Sequence, residues 1–338
     1  MEKDIQLTKE DFTSDQETRW CPGCGDYSIL AQMKKVLPTL GIPKENFVFV
    51  SGIGCSSRFP YYLDTYGIHG IHGRAPVIAS GVKLARPDLK VFVITGDGDG
   101  LSIGGNHLIH LFRRNIDITI ILFNNQIYGL TKGQYSPTSE KGKVTKSSPF
   151  GSLENPFNPV QMALASGATF VARSIDRDPK HLAETLARAA KHKGTAFVEV
   201  YQNCNIFNDG AFISLTDPKE KKKHLLKMEH DKPFVFGEKD EHLLAWTGKK
   251  FAVASSDMKE NGREILKHNE NGSGPAVEFM LASLSHGPEL PTPIGIFRSI
   301  EMETYDEMLT QQVEHAKEKK GEGDLKKLFT GGYTWTNN

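Results

Sequence analysis

Apolar and polar positions along the chain fall into short blocks of two different periods. Phe47 to Ser51 (FVFVS), Val91 to Thr95 (VFVIT) and Ile118 to Phe123 are unbroken runs rich in β-branched and aromatic residues, which predict strands buried on both faces. Thr169 to Ala172 and Ala196 to Tyr201 (AFVEVY) predict two more, the second being the last clear strand. Between them the period changes. Ile29, Leu30, Met33, Val36 and Leu37 recur at helical spacings behind Asp26, which is placed to cap them. Shorter helices are predicted over 79–86 and 161–166, and an amphipathic one over 179–192, with Leu182, Leu186 and Ala189 on one face. Residues 61–66 read as irregular, 69–76 as a polar loop, and 135–158 as a long aperiodic loop of the kind that usually carries function.

Strand, glycine-rich turn, helix and strand over 91–125 make a βαβ unit, so the fold class is α/β, a mainly parallel sheet with helices on both faces. A polar arm (1–19) precedes it. Past Asn205 the character changes: 216–250 is rich in Lys, Glu and His, 256–275 is polar, and 290–298 is an extended piece fixed by prolines. Tyr305, Met308, Leu309, Val313 and Ala316 mark one more helix face. The reading is therefore an arm, a core domain over 20–205, and a C-terminal region over 206–338.

Composition narrows the function classes. The chain has 338 residues, with 41 basic and 41 acidic side chains and a formal net charge of zero, so it lacks the basic excess of a nucleic-acid binder. No apolar run reaches a membrane span, and the polar N-terminus is not a secretory leader, so a cytoplasmic location is expected. Four cysteines occur: Cys21, Cys24, Cys55 and Cys204. In a reducing compartment they point to metal or redox chemistry rather than disulfides.

Candidate chemistry gathers at the carboxyl ends of the strands, where open α/β sheets place their sites. Gly96-Asp97-Gly98-Asp99 closes one predicted strand and Asn124-Asn125 the next. A carboxylate and an amide oxygen are hard ligands suited to Mg²⁺, and the glycines let a diphosphate approach the backbone. Cys55 and Cys204 also follow strands. With Cys21-x-x-Cys24 they make a set of four, enough for a 4Fe–4S cluster or a Cys₄ zinc; a redox dithiol is the remaining reading of the pair.

The motifs WCPGCGD (20–26), GIGCSSR (52–58), HGIHGRA (69–75), TGDGDGLSIGGNH (95–107) and LFNNQIYGLTKGQ (122–134), with Cys204, resemble the β subunits of 2-oxoacid:ferredoxin oxidoreductases, and most resemble the 2-oxoglutarate branch. The resemblance implies a thiamine-diphosphate-binding domain over 20–205. Asp97, Asn125 and the Ile127 carbonyl would hold Mg²⁺, and Gly98, Asp99, Gly129 and Leu130 would line the diphosphate. Ile53, Gly54, Cys55, Ser56 and His72 would line the cofactor nearer its reactive end. Cys21, Cys24, Cys55 and Cys204 would hold one 4Fe–4S cluster. Lys132 and His72 are the candidate catalytic side chains, with Arg58 and Arg74 weaker candidates. The resemblance further implies an α subunit carrying the pyrimidine and γ-type domains, with coenzyme A, a 2-oxo acid and ferredoxin as reactants, and a heterotetramer as the expected assembly. Pyruvate or broad 2-oxo acid use, a non-redox thiamine decarboxylase or synthase with structural zinc, and an inert assembly subunit are the competing readings. Residues 303–338 are expected against the partner or over the cluster.

Overall fold

The computed structural model describes residues 6–255, 266–286, 290–331 and 334–335. Part of the polar stretch 256–275, the first residues of the arm and the last of the tail lie outside them.

The elements run α1 (Asp26–Val36), β1 (Phe47–Ser51), β2 (Tyr66–His69), α2 (Ala75–Ala85), β3 (Lys90–Gly96), α3 (Asp97–Leu101), α4 (Gly105–Arg114), β4 (Ile118–Asn124), α5 (Pro159–Ala165), β5 (Phe170–Ile175), α6 (Pro179–Lys191) and β6 (Ala196–Tyr201). Beyond them come α7 (Ile213–Thr216), α8 (Lys221–His224), β7 (Leu225–Lys227), β8 (Val235–Phe236), β9 (His242–Trp246), β10 (Phe251–Ser255), α9 (Ala276–Ala282), β11 (Thr292–Ser299), α10 (Tyr305–Lys320) and α11 (Leu325–Thr330). Among the described residues eight strands form one sheet in the order β2-β1-β3-β4-β6-β5-β11-β7, and β8, β9 and β10 form a small antiparallel sheet. Every pair in the main sheet is parallel except β5 with β11.

The strands divide their side chains between two cores, as the period of two requires. Phe47 and Phe49 face α1 and α6 beside Phe92, Ile94, Leu182 and Leu186, while Val48 and Val50 join Leu108, Leu111, Phe112 and Phe197 on the opposite face. Phe49 and Phe92 stack across β1 and β3 with centroids 4.7 Å apart. Each such buried ring contributes roughly 1.5–3 kcal/mol by burial.

Several expectations shift. The segment 61–66 ends in a further strand, β2, parallel to β1, and α2 begins at Ala75, its proline at the first helical turn, not at residue 79. Asp26 is the first residue inside α1, buried, and does not cap it; Gly25 is the N-cap, and a Cβ there would meet the Asp176 carboxylate at 1.9 Å. Ala196–Tyr201 is not the last strand. The proline-fixed piece becomes β11, which pairs with β5 and, through Thr292–Ile294, with β7. Hydrogen bonding of the main sheet therefore continues past residue 205. Tyr305, Met308 and Val313 lie on α10 as expected, but Met308 and Val313 are exposed.

Candidate active site

Four parallel strands deliver the candidate residues to one edge. β1 ends before Cys55, β3 at Gly96 before Asp97, β4 at Asn124 before Asn125, and β6 at Tyr201 before Gln202 and Cys204. A cleft of about 510 Å³ opens between these ends. Ile53, Gly54, Cys55, Ser56 and His72 line one side, and Asp97, Gly98, Asp99 and Asn125 the floor. Ile127, Gly129 and Leu130 line the other, with Tyr128, Thr131 and Gln134, which the sequence reading did not single out. A larger cleft of about 710 Å³, lined by Asp178, Lys227 and Phe236 among others, holds none of these groups. Lys132 is not among the lining residues: its side chain is exposed and its backbone left-handed, with φ 75°. Arg74 donates to the Ile103 carbonyl, and Arg58 lies close enough to Cys55 for its charge to favour the thiolate.

Asp97 sits 2% exposed, and its Oδ2 accepts from Ser136 Oγ at 2.5 Å and Thr138 Oγ1 at 2.6 Å. Both hydroxyls come from the long loop, which is thus built into the site. Burial pushes the Asp97 carboxyl up to about 6, against the pull of these hydrogen bonds. A buried carboxylate with neutral partners, beside an amide oxygen, fits a hard cation approaching from the cleft.

Asp97 is braced from across the sheet. Thr138 Oγ1 shares its one proton between Asp97 and Asn124 Oδ1, the latter at 2.9 Å, Asn124 Nδ2 donates to Glu199 Oε1 at 2.7 Å, and Arg173 Nε donates to Glu199 Oε2 at 2.6 Å. Arg173 is fully buried, against the Tyr201 and Phe297 rings. The polar chain crosses β4, β6 and β5 in register, where a lost partner would leave a buried charge uncompensated. Asn124, the first asparagine of the pair, is structural, and the second faces the cleft.

Asp99 holds the opposite wall. Its Oδ1 accepts from the Ile53 and Gly73 amides at 3.0 and 2.6 Å and from His72 Nδ1 at 2.6 Å, and its Oδ2 accepts from Thr95 Oγ1 at 2.7 Å. Its carboxylate is taken up by these four donors, while Asp99 still lines the cleft as expected. It orients His72, leaving the imidazole Nε2 as the ring atom available to a reactant. Gly52 is required beside it, since a Cβ would stand 2.1 Å from Asp99 Oδ2. A Cβ on Gly98 would likewise strike the Tyr128 ring at 2.2 Å.

The four thiols are unbridged. A Cβ placed on Gly129 would lie 3.6 Å from Cys55 Sγ and 3.7 Å from Cys204 Sγ, so both face the cofactor loop. Trp20 Nε1 donates to the Cys55 carbonyl at 2.7 Å and Gln202 Nε2 to Cys24 Sγ at 3.3 Å, drawing the N-terminal loop onto this edge. Cys21 is exposed. Burial, reinforced by Asp26, pushes Cys55 up to about 12 and Cys24 higher still. Free thiols here would stay protonated and poorly nucleophilic, so the donor set suits thiolates whose charge a metal centre neutralises. Among the described residues no three of these side chains close on one point as single-ion ligands do.

Residues 52–200 match the family model described as thiamine pyrophosphate enzyme, C-terminal TPP binding domain. The 2-oxoglutarate oxidoreductase subunit KorB of Mycobacterium tuberculosis is 54% identical over 330 residues, covering 97% of this chain and 88% of that protein. The chain is a β subunit of the 2-oxoacid:ferredoxin oxidoreductase family. The 2-oxoacid:ferredoxin oxidoreductase subunit beta of Saccharolobus solfataricus is 38% identical over 296 residues, 87% of this chain and 86% of that one. A solved 2-oxoglutarate:ferredoxin oxidoreductase from Magnetococcus marinus, with 2-oxoglutarate, coenzyme A and succinyl-CoA bound, superposes with a TM-score of 0.76 at 33% identity over 98% of both chains. Family membership places thiamine diphosphate in the domain that carries the cleft, in a subunit of a multisubunit oxidoreductase. Among the described residues no helix is long and apolar enough to cross a membrane.

Proposed function

We propose that this β subunit, with a partner α subunit, catalyses coenzyme A-dependent oxidative decarboxylation of 2-oxoglutarate, passing electrons through one 4Fe–4S cluster to ferredoxin. The observation that carries this is the convergence of the Asp97–Asn125 cleft with Cys55 and Cys204 on one sheet edge, Gly129 standing against both sulfurs, and with Cys24 tied in through Gln202. Thiamine diphosphate, when bound, supplies the carbanion-stabilising centre at which a 2-oxo acid loses CO₂, and an iron–sulfur cluster supplies one-electron acceptance.

This chain's own residues do the rest. Asp97 and Asn125 bind Mg²⁺ by their side chains and Ile127 by its carbonyl, anchoring the diphosphate. Gly98 and Gly129 let it approach the backbone. Asp99 fixes His72, whose Nε2 is left free to hold or deliver a proton in the cleft. Cys21, Cys24, Cys55 and Cys204 hold the cluster. Ile53 and Leu130, 39% and 50% exposed at the cleft, exclude water once the α subunit closes over them with the pyrimidine-binding domain. Exposed Lys132 stands clear of the cofactor floor, where a substrate carboxylate arriving from the partner side would meet it.

Anaerobic co-purification with the α subunit tests the proposal. About four irons per β chain, and ferredoxin reduction that needs 2-oxoglutarate and coenzyme A together, are expected. Stoichiometric zinc without iron would refute the redox reading, and faster turnover of pyruvate the substrate reading.

A further inference from the structure

We infer that Gln202 is a positioning residue linking the cation site to the cluster, so that loading of the Asp97–Asn125 site raises the cluster's electron affinity. The inference rests on the cluster reading above. Gln202 is 1% exposed and stands just past β6, between the two sites. Its Oε1 accepts from Asn125 Nδ2 at 2.9 Å, while its Nε2 donates to Cys24 Sγ at 3.3 Å and to the Asn203 carbonyl at 2.6 Å. Its backbone N–H is fixed by the Asn124 carbonyl at 2.9 Å. The amide has one workable orientation. Asn125 Oδ1 already takes the Ile127 N–H at 3.2 Å, so a flipped Gln202 would set one NH₂ group against another.

The chain of bonds runs from a proposed cation ligand to a proposed cluster ligand through two side-chain amides. A cation on Asn125 Oδ1 draws electron density from that amide and makes its Nδ2–H a stronger donor. Gln202 is polarised in turn, and its N–H···S bond to Cys24 tightens; cooperative strengthening in such chains is about 10–30% per bond. Reduction adds negative charge to the cluster, so a stronger N–H···S bond favours the reduced form. Electrons would therefore be accepted most readily when the cofactor is in place. The segment after β6 ties both loops independently: Asn208 Nδ2 donates to the Asn125 carbonyl at 2.9 Å, Asn205 Nδ2 to the Pro22 carbonyl at 2.6 Å, and the Asn203 carbonyl accepts the Gly25 N–H at 3.2 Å. Removing the Gln202 amide thus leaves the loops held.

The test is a reductive titration read by electron paramagnetic resonance, on the αβ complex purified anaerobically, with and without Mg²⁺ and thiamine diphosphate. In the unmodified complex the potential should rise when both are added. Gln202→Leu should keep four irons, titrate at a lower potential and show no rise. Gln202→Glu keeps the acceptor for Asn125 without the donor to sulfur, and should titrate lower again. An unaltered potential in Gln202→Leu, or an equal rise in variant and parent, overturns the inference. Should Gln202→Leu lose its iron, Asn125→Asp decides. It keeps a ligand oxygen but lacks the Nδ2 donor, so a retained rise overturns the link and an abolished one supports it. Absence of iron from the unmodified complex would remove the cluster reading itself, and would be seen before any potential is measured.

Discussion

Asp97 Oδ2 is held by two hydroxyls, yet burial raises its pKa to about 6 from an ordinary 3.8. In the metal-free chain this group stabilises the fold fully below pH 3.8, and the contribution is lost as the pH rises through about 6. Metal binding runs the other way, because the cation needs the carboxylate. Mg²⁺ affinity measured by titration calorimetry should fall about tenfold per unit below pH 6, with a proton released on binding. Thr138→Val removes the hydroxyl shared by Asp97 and Asn124, and should weaken Mg²⁺-dependent thiamine diphosphate binding about 10- to 100-fold while leaving the iron content unchanged. Asp97 and Asn125 were legible because both follow apolar strands in a recognisable pattern. Arg173, Glu199 and Gln202 were not, since only strand register brings them beside residues remote in sequence.

Among the elements, α1, α6 and the strands of the first half were legible from periodicity, and their burial follows it. β2 was missed because YGIH is a short, largely exposed edge strand, and β11 because Pro291 and Pro293 mark a non-strand in isolation. Tertiary pairing overrides that signal. Pro293 sits where its missing N–H costs little, its carbonyl accepts from Arg173 at 3.3 Å, and antiparallel pairing with β5 begins at Gly295. A chain cut after residue 205 would leave β5 as an open edge and should elute as aggregate in size-exclusion chromatography. On the cleft wall, Gly52→Ala forces a methyl group into the Asp99 carboxylate and should cost about 1–3 kcal/mol of stability in thermal unfolding, with His72 displaced as well.

At the scale of the whole molecule, the described residues with uncovered apolar side chains include two pairs, one on the long loop and one on α11. Phe150 and Leu153 on the long loop are 100% and 85% exposed, and Leu328 and Phe329 on α11 are 76% and 72% exposed. Such residues suit a surface completed by a partner. Hydrogen exchange of the β chain alone and with the α subunit should show protection gained over 140–157, the loop that also supplies Ser136 and Thr138 to Asp97. The sequence reading placed 303–338, which includes α11, against the partner or over the cluster; Phe150 and Leu153 were not singled out, because their exposure depends on how the long loop lies on the core.

Completion of the main sheet by β11 also sets a clock on synthesis. β5 leaves the ribosome long before its antiparallel neighbour, and at about 5–20 residues per second the intervening chain takes roughly 6 to 25 seconds to make. Once Cys204 has been added, the nascent chain has every candidate cofactor-binding loop but an unpaired strand at the margin of its core. Chaperone occupancy of ribosome-bound intermediates should therefore peak after β6 emerges and fall once Ser299 is clear of the exit tunnel.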